Sequence, residues 1–522
     1  MGLVLGSISL LWLWQFQGNV FVGLDFALPQ DPTDLSHPAL ADRLNQTHIR
    51  HHLEALAGIA EQHGSSRSVA HGYRESGDYV YNVLHSTGAC DTLEMQWFKA
   101  PIWHERRVPR LMLMSPAWIP YRHGIDFQSL RYGGSGTGYL ANAKIVAIPY
   151  GGCSSSSHTA KSKGAVVVIG ETRQCSLWEA ALVAQEAGAV AILFQGSSSR
   201  KTLLSSRVRR DEWQEGDPLL SIPAMAISFS VGRSLTSFRN ARVSLFTATT
   251  LSIVPTFNIL CEWRATNADD TVVVGAHLDS VAAGPGINDN GSGSATTLEI
   301  LLAMRHQQAQ PSNRLVFAWW GAEEDGLLGS RHFVRSLFNA TRSTNFPALQ
   351  MPLTWDQVSF YLNFDMLASP NYIPMVHRSS DAPTKVAVGS YFIELAFTEF
   401  FERRGYPYQL AAMKRGSDFV PFMTHGVPSG GLLTGARQLK TDAERARFGG
   451  LANTALDPCY HAKCDGLVNI NWEALYRMSE AAAYAVHLFA YESDLQALAM
   501  RRWVSPGMRP ASRPAETPTE LN

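Results

Sequence analysis

Three apolar runs in the second half of the chain limit the fold more than any bulk property does. They are "TVVVGAHLD" (271–279), "RLVFAWWGAEE" (314–324) and "VSFYLNFDML" (358–367), each of strand length. The helical pattern "GSATTLEILLAMRH" (293–306) separates the first two. Strands that are apolar on both faces and alternate with helices predict an α/β fold: a mixed, mostly parallel sheet with helices on both faces. Each run closes on groups of metal-ligand type: His277 and Asp279, then Glu323 and Glu324, then Asp365. Ligands of open α/β sheets sit beyond the carboxyl ends of the strands, so these residues should converge.

The adjacent glutamates sharpen that expectation. Neighbouring strand residues point to opposite faces, so Glu323 and Glu324 serve one cleft only if the strand ends there. His277 and Asp279, two apart, share a face, and one can bind a metal while the other steadies it. "GPGINDNGSGSATT" adds Asp289 from a Gly-rich loop leading into the helix. Acids packed together with no Lys or Arg among them repel one another, and a divalent cation is the simplest remedy. Carboxylate and imidazole without thiolate suit catalytic zinc. Several acids for few imidazoles suggest two ions about 3.5–4 Å apart sharing a bridging carboxylate.

The rest of the chain sets the context. A length of 522 residues predicts more than one domain. A net charge of −1 gives no reason to expect nucleic acid or an anionic membrane surface as partner. "GLVLGSISLLWLWQF" (2–16) is uncharged, and the first basic residue is Arg43. That run is short for a membrane span and reads as a secretory leader over 1–22, a retained anchor being the alternative. Residues 23–40 are then a linker or propeptide, and 493–522 a Pro-rich disordered tail. No stable membrane insertion is expected once the leader is removed.

Export allows disulfides among the six cysteines. Cys459 and Cys464 can close a small loop, Cys153 and Cys175 can pair, and Cys90 and Cys261 either pair or stay free. Sequons at Asn45 and Asn339 are glycan candidates. Residues 41–117 and 253–492 are expected to form one domain, interrupted by a β-rich segment over 118–252. In that segment "AKIVAIPY", "GAVVVIGE", "VAILFQ" and "IPAMAIS" are strand candidates and "SLWEAALVAQEAGA" a helix. His51, His52, His332 and His425 lack acids at ligand spacing and read as structural. The Trp319–Trp320 pair reads as core.

The motifs "HLDS", "GINDNGSG", "FAWWGAEEDGLLGS", "YLNFDM", "GVPSGGLLTGA" and "DPCYHAKCD" resemble those of the co-catalytic di-zinc aminopeptidases of metallopeptidase family 28. The middle segment resembles the protease-associated domain carried by the aminopeptidase Y form. The resemblance implies the zinc-exopeptidase fold and two zinc ions. It implies that His277 and Asp365 hold one, that Glu324 and His461 hold the other, and that Asp289 bridges them. Asp279 would orient His277. Glu323 would be the general base, passing a proton from the attacking water to the leaving amine. Tyr460 would steady the tetrahedral intermediate. The Asp289–Asn290 bond is often cis in this family, which would bury Asn290 and keep its sequon unmodified.

The implied function is a secreted or vacuolar aminopeptidase acting on peptides with a free N-terminus. A carboxypeptidase or glutaminyl cyclase on the same scaffold is the rival, and a receptor-like relative without catalysis a more distant one. Such relatives lose ligands or the base, whereas every such position here is filled. One departure is Gly416 in "KRGSDF", where the family usually has arginine, which bears on amine recognition. The motifs carry no information on residue preference or oligomeric state.

Overall fold

The computed structural model describes residues 40–492 apart from 135, 308–309, 341–348 and 414–415, together with residue 495 and two short strands near the N-terminus. Residues 1–12 and 17–18 of the leader, most of the 23–40 linker and nearly all of the tail lie outside the described residues. The two short strands, β1 (Leu13–Phe16) and β2 (Asn19–Val22), pair as a hairpin.

α1 (Gln46–Gln62) starts where the Asn45 side chain accepts the N–H groups of Thr47 and His48. α2 (Tyr73–Thr87) ends at Gly88, whose left-handed backbone closes the last turn. β3 (Thr92–Ser115) follows and is far longer than the strand legible at 91–100. Beyond it lie β4 (Ile119–Pro120), β5 (Phe127–Ser129), β6 (Gly136–Ile148), β7 (Val166–Gly170), α3 (Leu177–Glu186), β8 (Ala191–Gln195), β9 (Ala224–Ile227) and α4 (Phe229–Ser237). All four strand candidates of the middle segment, and its helix, are therefore present. β6 to β9 run parallel in sequence, and β5 closes the edge antiparallel to β9.

β10 (Arg242–Trp263) returns antiparallel to β3 along nearly its whole length. One end of β10 pairs with β6 and the other with a strand of the main sheet, so residue 252 falls inside a rod shared by both sheets. The alternation read from the sequence follows: β11 (Asn267–His277), α5 (Gly293–His306), β12 (Asn313–Trp320), α6 (Leu328–Ala340) and β13 (Val358–Phe364). β14 (Met375–His377), α7 (Ala387–Arg403), β15 (Gln409–Ala411), α8 (Phe419–Thr424), β16 (Ser429–Leu433), α9 (Asp442–Phe448) and α10 (Trp472–Tyr491) complete the chain.

The main sheet has the order β15-β14-β16-β13-β11-β12-β10. Its centre, β16-β13-β11-β12, is parallel, while β14 and β10 join it antiparallel. Leu53, Leu301, Phe397 and Phe489 pack α1, α5, α7 and α10 onto one face. Phe333 and Phe422 bring α6 and α8 to the other. Burying each such side chain contributes about 1.5–3 kcal/mol, which makes the parallel centre a rigid platform. Trp319 and Trp320 belong to this core, fully buried, with indole N–H groups donating to the Ser294 carbonyl and the Tyr361 hydroxyl. All six cysteines are paired, and Cys90–Cys261 resolves the pair the sequence left open.

Candidate metal centre

The strand ends bring the expected residues together. β11 stops at His277, β12 stops at Trp320, and Asp365 is the first residue past β13. Asp289 sits in the irregular turn Ile287–Ser292 that feeds α5. Three non-glycine residues beside or at these positions have left-handed backbones: Ala322 (φ 56°), Met366 (φ 60°) and His461 (φ 58°). Such conformations are uncommon outside glycine, and here each turns the chain where a side chain must change direction. Ala322 ends the strand just before Glu323, which lets both glutamates belong to one cleft.

Two three-residue clusters result, His277–Asp289–Asp365 and Asp289–Glu324–His461, each with its donor atoms within 4.8 Å of one another. His277 Nε2 lies 3.3 Å from Asp289 Oδ1 and 3.4 Å from Asp365 Oδ1. His461 Nε2 lies 3.1 Å from both Asp289 Oδ2 and Glu324 Oε1. Asp289 thus offers one oxygen to each imidazole. Asp289 Oδ2, Glu324 Oε1 and Asp365 Oδ1 are buried and have no well-formed hydrogen-bond partner. Buried carboxylate oxygens without partners are costly, and lone pairs converging on a common point are what a cation requires. Nitrogen and oxygen donors in this mixture fit zinc.

The charges at the site act on one another strongly. Burial alone would raise Asp289, but His277 and His461 hold its carboxyl well below the usual range. Burial opposes protonation of His461, yet Glu324 and Asp289 raise it to about 10. His277 is likewise raised, against burial, chiefly by Asp365 and Glu323. Glu323 belongs to neither cluster, and burial first, then the carboxylates of Glu324, Asp418 and Asp365, push it well above an ordinary glutamate. The Tyr460 ring stacks on His461 at 3.8 Å between centroids, and burial with the nearby acids raises its hydroxyl. The Cys459–Cys464 bridge closes the loop that carries both.

Asp279 lies between His277 and the loop of the two glutamates. His277 Nδ1 is 3.0 Å from the Asp279 main-chain carbonyl, whereas the nearest carboxylate oxygen is 3.8 Å away. The carboxylate instead accepts the main-chain N–H groups of Glu323 (3.0 Å) and Glu324 (3.2 Å). Asp279 thus faces the imidazole with its carbonyl and, at 3.8 Å, its carboxylate, while the same carboxylate holds the loop of the two glutamates.

Several supporting residues gave no signal of their own in the sequence. Asp465 accepts the N–H groups of Asn288 and Asp289, and Asn469 ties it to Asp457, which fastens the Asp289 turn to the His461 loop. Fully buried Arg67 donates to the carbonyls of Leu278, Pro285 and Gly286, fixing the chain between His277 and Asp289. Asn290 is fully buried; its Oδ1 accepts from Gly293 and Met366 and its amide donates to the Phe364 carbonyl. Its sequon therefore has no free acceptor nitrogen.

Ser417 donates to Asp365 Oδ2 (2.7 Å) and accepts from Asn363 (2.9 Å). It lies beside Gly416, whose missing side chain would meet open space. Lys414 and Arg415 lie outside the described residues. Ser417→Ala frees Asp365 to turn, and is expected to weaken zinc retention or activity by about 10–100-fold. The cost in stability should be only about 1–2 kcal/mol. Zinc retention against a graded chelator, set beside a denaturant midpoint, checks both.

Comparison with known proteins supplies independent information. Residues 258–486 match the family model described as Peptidase family M28. An aminopeptidase of Pseudomonas aeruginosa is 32% identical over 455 residues, covering 84% of this chain and 80% of that protein. Leucine aminopeptidase 2 of Trichophyton rubrum is 28% identical over 460 residues, covering 86% and 85%. Among solved structures, BSAP, a zinc aminopeptidase from Bacillus subtilis, superimposes with a TM-score of 0.53 at 20% identity, over 87% of this chain and 97% of that one.

Proposed function

The chain belongs to peptidase family M28, and from that premise we propose that it is a secreted di-zinc aminopeptidase removing single residues from peptides with a free N-terminus. The observation that carries this reading is the sharing of Asp289 between two donor clusters, with Glu323 beside them and in neither. His277, Asp289 and Asp365 would hold one zinc, and Asp289, Glu324 and His461 the other. Bound there, the pair would supply a polarised water and an electrophile for the scissile carbonyl. The names of the Pseudomonas, Trichophyton and Bacillus proteins support the substrate class and the metal.

The chain's own residues would do the rest. Glu323, made more basic than an exposed glutamate by burial and neighbouring acids, accepts the proton of the attacking water and delivers it to the departing amine. Asp279 keeps Glu323 and Glu324 in register by binding both of their amides. Tyr460, stacked on His461, would use its hydroxyl to stabilise charge on the former carbonyl oxygen. Acidic groups around the cleft would receive the substrate ammonium, which explains a requirement for an unblocked end. Residues 118–252 would be a protease-associated domain inserted into a peptidase domain of 41–117 and 253–492.

Hydrolysis of a leucine chromogenic anilide beside its N-acetylated twin tests the proposal. Only the free-amine compound should be cut, with activity lost to a chelator and restored by zinc. Equal cleavage of the acetylated compound, or indifference to chelation, would refute it.

A further inference from the structure

The segment 118–252 reaches the centre through three arginines. Arg131 and Arg207 stand side by side in a short bridge, with the Val208 N–H donating to the Arg131 carbonyl at 2.8 Å. Arg131 donates to the main-chain carbonyl of Glu324 (2.9 Å) and to Asp325 Oδ1 (2.7 Å). Arg207 donates to the same Glu324 carbonyl at 3.1 Å, and Arg209 to the Asp325 carbonyl. The Tyr132 hydroxyl lies 3.0 Å from Asp325 Oδ1. Tyr132, Arg209 and Asp325 are all buried. Gly326 follows with φ 115°, and a Cβ there would come within 2.4 Å of the Arg209 guanidinium.

Simple adhesion between two parts of a chain does not call for this arrangement. The Arg209 guanidinium is buried and those of Arg131 and Arg207 are part-buried against a single carboxylate; each donates to a main-chain carbonyl of the loop, while Nε of Arg207 and of Arg209 is buried without a partner. Buried cations are retained at that cost where their geometry does something else. The peptide they grip is the one whose amides Asp279 already holds. Its N–H groups are fixed from the main sheet, and its carbonyls from the 118–252 segment.

We propose that Arg131, Arg207 and Arg209, acting through Asp325 and the 324–325 carbonyls, are positioning residues for Glu323 and Glu324. The 118–252 segment then completes the metal centre and is not merely a lid or spacer. This rests on the assignment of Glu324 as a zinc ligand and Glu323 as the base.

The test compares Arg131→Ala, Arg131→Lys, Lys99→Ala and Glu324→Gln with the wild type in the full-length enzyme. Zinc per chain after dialysis against a weak chelator, kcat, KM and Tm are read for each. Lys99 pairs with Glu215 across the same two parts of the chain at 2.5 Å, both side chains exposed. Arg131→Ala should shed zinc toward one ion per chain and lower kcat by about 10–100-fold, with KM little changed. Arg131→Lys should recover part of both, and Lys99→Ala should match the wild type. Wild-type zinc and kcat in Arg131→Ala, or equal losses in Lys99→Ala, would overturn the proposal. Glu324→Gln separates the two levels: full zinc retention there would sink the ligand assignment itself, whatever Arg131 does. If Arg131→Ala does not fold, Arg207→Ala, which removes one hydrogen bond to the Glu324 carbonyl, is held to the same criteria.

Discussion

Glu323→Gln is expected to lower kcat by roughly 10²–10⁴-fold while leaving the zinc content of the protein unchanged. The two side chains have the same shape, so the main-chain N–H bond to Asp279 and the turn begun at Ala322 are retained. What disappears is the capacity to take up a proton. Neither donor cluster includes Glu323, so no zinc ligand is lost. Because glutamine keeps the shape and the main-chain contacts of Glu323, folding stability should change little. KM should change little, because the step affected follows binding. Metal analysis beside steady-state kinetics on a leucine anilide decides the matter. A loss below tenfold, or zinc lost in parallel, would show that Glu323 is not the base.

That the ends of the three apolar runs would meet was legible because the α/β pattern fixes where strands end, and strand ends fix which side chains meet. In the structure the three strands end at His277, at Trp320 shortly before Glu323 and Glu324, and at Phe364 just before Asp365, as the parallel-sheet reading requires. Asp289 and His461 lie in loops that no periodicity reaches; Asp289 is singled out by its Gly-rich loop, and His461 only by motif resemblance. What stayed hidden depended on long-range partners. Nothing local in "HLDS" tells whether Asp279 faces the imidazole or the amides of a loop some forty residues away. Ser417 was visible as part of "KRGSDF", but its bond to Asp365 depends on how β13 and α8 are placed. Nothing in the sequence singles out the arginines at 131, 207 and 209, because their bonds to the glutamate loop depend on β3 and β10 carrying the middle segment back over it. Strand length failed for a related reason. β3 and β10 continue through residues of mixed polarity because they are stabilised by pairing with each other, which a one-strand pattern does not register.

Asp289→Asn should have the larger effect on the metal, because a single substitution addresses both ions. Each oxygen of Asp289 faces a different imidazole, at 3.3 Å from His277 and 3.1 Å from His461. Without that carboxylate, His277 keeps only Asp365 and His461 keeps only Glu324 within their clusters. Zinc sites in proteins ordinarily have three or more protein ligands, so two at each position should retain neither ion after dialysis. Glu324→Gln, by contrast, strips one donor from one cluster and should cost one ion. Polarisation of the substrate carbonyl and of the water is worth several kcal/mol, so activity in Asp289→Asn should fall by at least ~10³-fold. Asparagine keeps the main-chain N–H donated to Asp465, so the turn itself is not undone. Stability supplies a readout independent of catalysis. An ion present at a hundred times its dissociation constant stabilises the folded state by about 2.7 kcal/mol, so zinc should raise the wild-type Tm. It should leave the Asp289→Asn Tm where the chelated protein has it. One firmly held zinc in that variant would mean that Asp289 serves a single site, and the shared-carboxylate centre would have to be given up.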